Sequence, residues 1–178
     1  MSAGTVSVIL AAATLVVVAA ASIAAIVQLN YLRAGNHLSA LLEILNQWNR
    51  PEIQAALAEL RSIPDKVQDP HYAAALRASG SLDRATHPEF LALDLWEQIG
   101  TYCKYGLIDE KMLMDITSSQ VLNAWANAEP AISILRESRG LSVYENFELL
   151  AVRAKLWNRR FPDGAYPARL PRISDMQS

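Results

Sequence analysis

A chain of 178 residues with a formal net charge of -2 is long enough for one domain and an appendage, too short for two well-built domains, and lacks the basic excess of a nucleic-acid binder. Its 52% hydrophobic against 19% charged residues exceed what a soluble domain of this size needs, and the excess sits before Arg33. The single cysteine, Cys103, excludes an internal disulfide.

The run from Val8 to Leu29 contains no charge, no Pro and no Gly, and Val8, Leu15, Val18, Ile23, Ile26 and Leu29 are among its large apolar positions. At 1.5 Å per residue it is about 33 Å long, the thickness of a bilayer core. We therefore expect residues 1–31 to form a transmembrane anchor. A cleavable signal peptide fits less well because Met1 to Ser7 carries no Lys or Arg, and a buried core helix seldom runs this far without a polar face. Basic residues flank the cytoplasmic side of spans; Arg33, Arg50 and Arg61 follow this one, so the expected orientation puts the amino terminus outside and the following domain in the cytoplasm. Small pairs such as Ala20 with Ala24 permit close approach of two spans, although alanine-rich segments show such spacing by chance.

Residues 32–161 read as an α-helical cytoplasmic domain. Leu38, Leu41, Leu42, Leu45 and Trp48 recur at steps of three and four, one apolar stripe on a helix that continues the span or resumes after Gly35. Asn49 or Arg50 caps a fresh helix with Pro51 in its first turn, ending before Pro64. From Asp65 to Arg84 the pattern weakens to a connection, punctuated by Pro70, Gly80 and Ser81, with a helical piece around Tyr72 to Leu76. Thr86-His-Pro-Glu89 has the form of a capping box, followed by an apolar face from Phe90 to Cys103 that Gly106 closes. Asp109 caps the next helix, and Pro130 is expected to kink it or to start a new segment capped by Asn127. Gly140 ends that segment, Ser142 to Glu145 forms a second capping box, and a last helix runs to Phe161. No alternating strand appears, so the fold class is all-α: one N-terminal transmembrane helix followed by about five helices. Residues 162–178 form an extended or disordered basic tail.

The blocks LWEQIGTYCKYGLIDEKMLMD, NAWANAEPAISILRESRG and YENFELLA resemble an uncharacterised bacterial family, the domain of unknown function numbered 4760, whose members often carry one N-terminal membrane helix. The similarity covers roughly Leu29 to Leu156. It implies a helical domain at a membrane and supplies no activity and no catalytic residue.

Chemistry-bearing residues are scattered. His37, His71 and His87 have no second ligand at helical spacing. Asp94 and Glu97 lie one turn apart like the carboxylates of helical di-metal sites, but Gly100 occupies the place of the expected His. Cys103 reads as a buried small apolar group. The serines of TSSQ and RESRG form no nucleophile elbow. We therefore expect no catalytic residue, no cofactor and no metal. Arg136 and Arg139, before the Gly140 corner, and Glu145 and Glu148, after it, form a candidate ion-pair cluster, the alternative being an anion site. Six cations from Arg153 to Arg172 face two aspartates, either a solvated helix end or a contact with anionic lipid.

These readings point to a single-pass inner-membrane protein whose helical domain is an interaction or regulatory module rather than an enzyme. Its partners are the bilayer through residues 8–29 and a protein or second copy of itself, with no nucleic acid. The alternative is a membrane-tethered small-ligand sensor with an interhelical pocket lined by Trp96, Tyr102 and Trp125, aromatics that otherwise fill the core.

Overall fold

The computed structural model describes residues 3–78 and 82–176, apart from the side chain of Ile9; Gly80 and Ser81, expected in the connection, lie outside the described residues, as do the first two and last two positions of the anchor and tail. Every regular element among the described residues is helical. The chain divides into two units, Met1–Ser39 and Ala40–Ser178.

The first unit is helix α1 (Ala3–Trp48) up to Ser39. An 18-residue window of α1 has a mean hydropathy of 2.6 and is 0% buried, so the helix is long and apolar enough to cross a membrane and no protein core covers it. Its few hydroxyls are satisfied within the helix: Thr14 Oγ1 donates to the Leu10 carbonyl at 2.9 Å and Ser22 Oγ to the Val18 carbonyl at 2.8 Å. This back-bonding is how a polar side chain tolerates an apolar medium. The helix passes straight through Gly35, where a Cβ would meet nothing within 4 Å.

The second unit contains the end of α1 and the helices α2 (Pro51–Glu59), α3 (Ile63–Lys66), α4 (Pro70–Arg77), α5 (Glu89–Lys104), α6 (Glu110–Arg139) and α7 (Glu145–Arg160). Pro51 and Pro70 occupy first-turn positions, where the missing N–H is harmless, and Asp69 accepts a hydrogen bond from the His71 N–H at 2.9 Å. Helical structure does not stop before Pro64: a 3-10 turn, Leu60–Ser62, leads into α3 with Pro64 in its first turn. Leu41, Ile44, Leu60, Ile63, Leu76, Phe90, Trp96, Leu113, Ile132 and Phe147 meet in one buried cluster.

Three local expectations are corrected. Pro130 does not start a new segment, and Asn127 lies inside the helix rather than at a cap; Ala124, Ala128, Ala131, Ile132 and Leu135 are buried on both sides of the proline, and packing of that face outweighs one lost hydrogen bond. Thr86 does not cap α5. Its hydroxyl turns back to the Asp83 carbonyl at 3.1 Å, and Glu89, its supposed partner, is fully buried. Ser142 does not cap α7; the residue before that helix is Tyr144, in the left-handed region at φ 54°.

Other ends follow the sequence. Asp109 accepts from the Met112 N–H at 3.0 Å. At the end of α5 the Leu107 N–H reaches the Tyr102 carbonyl at 2.9 Å and the Gly106 N–H the Cys103 carbonyl at 3.2 Å, a Schellman closure that places Gly106 at φ 64°. In residues 162–176, expected to be extended or disordered, the Tyr166 hydroxyl donates to the Pro171 carbonyl at 3.0 Å and Arg172 Nη2 to the Asp163 carbonyl at 2.8 Å.

Candidate functional site

Val8, Leu15, Val18, Ile23, Ile26 and Leu29 are all exposed side chains on α1. They belong to a stretch that is long and apolar enough to cross a membrane and is not covered by protein.

The four residues of the predicted ion-pair cluster do not form one cluster. Arg136 Nη1 pairs with Glu148 Oε2 at 2.8 Å, its Nε donates to the Val143 carbonyl at 2.9 Å, and its guanidinium lies 5.9 Å from the Trp125 ring centre. Arg136 thus clamps the Gly140 corner to the first turn of α7. Arg139 instead donates to the Ala78 carbonyl at 2.9 Å, and Glu145 pairs with Lys104 at 3.1 Å. The two residues fall outside the clamp because they face other neighbours across the fold, which helix-end spacing does not reveal.

The carboxylates weighed as metal-like have structural partners. Asp94 receives Arg84 Nε at 2.8 Å, Arg84 Nη2 at 3.1 Å and the Tyr144 hydroxyl at 3.0 Å. Glu97 accepts from the Phe147 N–H at 2.8 Å and from Asn146 Nδ2 at 2.7 Å. A carboxylate from α5 therefore caps α7, at the end of the helix dipole that favours negative charge. This contact needs α5 and α7 to lie close, and Gly100 permits it: a Cβ there would sit 2.1 Å from the Asn146 carbonyl oxygen. Burial, with Asp94 next to it, pushes the Tyr144 phenol above its ordinary range.

Glu89, at the start of α5, is a third carboxylate, whose partners lie elsewhere than in the capping box expected of it. Its Oε1 accepts from the Tyr72 hydroxyl at 2.8 Å and lies 3.5 Å from His87 Nδ1, while Oε2 lies 3.5 Å from Lys66 Nζ. A fully buried carboxylate persists only with such partners. Burial, followed by the Glu89 hydrogen bond, raises the Tyr72 phenol. Burial also pushes the Cys103 thiol up to about 12, leaving it without the thiolate that nucleophilic chemistry needs.

The three aromatics expected around one pocket separate. Trp96 is fully buried, stacked 5.9 Å from Phe147 and edge-on to Trp48 at 4.8 Å. Trp125 packs edge-on against Phe147 at 5.2 Å, and the Tyr102 hydroxyl bonds to Gln98 one turn back. Trp96 borders a cleft of about 300 Å³, and the aromatic beside it there is Trp48. Trp96 Nε1 is buried without a hydrogen-bond partner, a state that costs on the order of 1–3 kcal/mol. The polar residues of this cleft are Arg61 from the 3-10 turn and Gln120, Asn123 and Asn127 from α6; the sequence alone casts Arg61 as a marker of orientation and Asn127 as a cap and does not bring the four together. The signal was present as a row of amides spaced by three and four on one helix.

Among the described residues, no group of three His, Cys, Asp or Glu side chains is placed to hold a metal ion. No curated protein and no solved structure matches the chain. The model of the family called Domain of unknown function (DUF4760) matches residues 15–154, which takes in most of α1 and the helices through most of α7. With the greater part of its length matched, the chain belongs to the DUF4760 family of domains of unknown function.

Proposed function

We propose that the protein is a single-pass inner-membrane protein whose helical domain lies in the cytoplasm and works by binding rather than by catalysis, as an interaction or regulatory module held at the membrane. The observation that carries this reading is the apolar window of α1 with none of its surface covered by protein. Arg33, Arg50 and Arg61, which follow the span, favour a cytoplasmic domain. Tethering raises the local concentration of the domain near membrane partners, so modest affinity between the domain and a protein or second copy suffices. Asp94, Glu97, Glu89 and Arg136 serve caps and clamps, which suits a scaffold that presents a surface.

The experiment is proximity labelling and detergent pull-down of the full chain beside a form lacking residues 1–31, in the native cell. The expected result is a set of specific membrane partners with the anchored form alone. Retention of the same partners by the shortened form refutes a role for tethering.

A further inference from the structure

We propose that the cleft beside Trp48 and Trp96 binds a small carboxylate with an apolar body of aromatic size. The inference does not depend on whether α1 crosses a membrane. The cleft holds about 300 Å³, at the lower bound of small-molecule sites. Its apolar lining comes from Trp48, Leu57, Leu60 and Ala124, and Trp96 lies beneath Trp48 in an edge-to-face pair at 4.8 Å. An aromatic or branched apolar group matches that lining.

The polar half of the cleft is rich in donors and poor in charge partners. The side chains of Arg61, Gln120, Asn123 and Asn127 make no hydrogen bond or ion pair with the described residues, and no Asp or Glu lines the cleft. Trp96 Nε1 adds a buried N–H with nothing to receive it. Gln54 is already engaged, its amide donating to the Trp48 carbonyl at 2.6 Å. One unpaired guanidinium flanked by three amides, with no carboxylate beside it, selects a ligand that carries negative charge. A planar guanidinium receives a carboxylate with two parallel bonds, and a single negative charge matches the one cation of the cleft. A cationic ligand meets Arg61 and no opposing charge.

The test uses the full chain in detergent micelles, titrated with benzoate, benzyl alcohol and benzylamine as anionic, neutral and cationic probes of one shape. The four tryptophan indole N–H resonances are followed by NMR, with Trp48→Phe and Trp96→Phe variants assigning the two in the cleft. Benzoate is expected to shift the Trp48 and Trp96 resonances saturably and to leave Trp157 unmoved, with benzyl alcohol weaker and benzylamine silent. Arg61→Ala, at an exposed position, is expected to raise the benzoate dissociation constant about tenfold without changing the benzyl alcohol shifts. Asn123→Asp, which adds a negative charge at the rim, is expected to weaken benzoate binding as well. Equal binding of benzoate and benzylamine, unchanged affinity in Arg61→Ala, or no movement of the Trp48 and Trp96 resonances with any probe overturns the proposal.

Discussion

Replacing Gly100 by alanine tests the packing argument most sharply, because two physical effects of opposite sign compete there. Alanine is the better helix former by about 1 kcal/mol, so at an open helical position the change stabilises. At Gly100 the new methyl would stand 2.1 Å from the Asn146 carbonyl oxygen and 2.5 Å from its carbonyl carbon. Ordinary carbon contacts lie at about 3.5–4 Å, so α5 and α7 must separate by roughly 1 Å or more. Both neighbours are backbone and cannot swing aside. Overpacking of this kind costs about 1–3 kcal/mol, and the separation also strains the Glu97 bonds to Asn146 and Phe147, worth about 1 kcal/mol as a cap. After the helix-propensity gain, the net loss is about 1–3 kcal/mol, a fall in Tm of roughly 3–12 °C for a domain of this size. The assay is thermal unfolding followed by circular dichroism, with Gly35→Ala as the control, since a Cβ at Gly35 meets nothing within 4 Å and is expected to leave Tm unchanged or raise it. An unchanged or higher Tm for Gly100→Ala refutes the close crossing of α5 and α7.

Further predictions concern charge and protonation. Arg136→Ala leaves the Val143 carbonyl and Glu148 without a partner and is expected to cost about 2–3 kcal/mol in denaturant unfolding; a loss under about 0.5 kcal/mol, the size of an ordinary surface substitution, contradicts the clamp. With its thiol raised to about 12, Cys103 in the native protein is expected to react with an alkylating reagent at pH 8 about a thousandfold more slowly than a free cysteine, and to react freely once unfolded. The Tyr144 phenol, raised by burial and by Asp94 above its ordinary value of 10.0, keeps its proton in the folded state where the unfolded chain loses it. Its contribution to stability is therefore complete below about pH 10 and declines above it, by at most about 1.4 kcal/mol per pH unit. Tyr144→Phe is expected to flatten that alkaline limb, and an unchanged slope rejects the assignment.

What could be read from the sequence was local. Apolar residues at steps of three and four, Asp109 one turn before Met112, and Gly106 and Gly140 at helix ends all act within a few residues, so their outcomes are written nearby in the chain. What escaped depends on distant contacts. The α7 start is capped by Glu97, about fifty residues upstream, in place of Ser142, and nothing in Ser-Val-Tyr-Glu reveals the competitor. Glu89 looks like a box carboxylate until Tyr72 and Lys66 are brought against it. Gly100 was the best available warning, since a glycine inside a helix weakens it and implies a close neighbour. Trp48 read as one more residue of an apolar stripe, and its pairing with Trp96 emerges only when α1 and α5 meet. At Pro130 a single backbone defect is visible in sequence, while the buried face that carries α6 through it as one helix is not.

The central claim is that α1 spans a membrane, and the direct measurement is alkaline carbonate extraction of membranes bearing the full chain beside a Leu15→Arg, Ser22→Arg double variant. Two arginines near the middle of a span add about 5–7 kcal/mol to insertion. The account predicts that the native chain stays in the membrane pellet and the variant is released to the supernatant. Release of the native chain by carbonate, or equal retention of the variant, contradicts it.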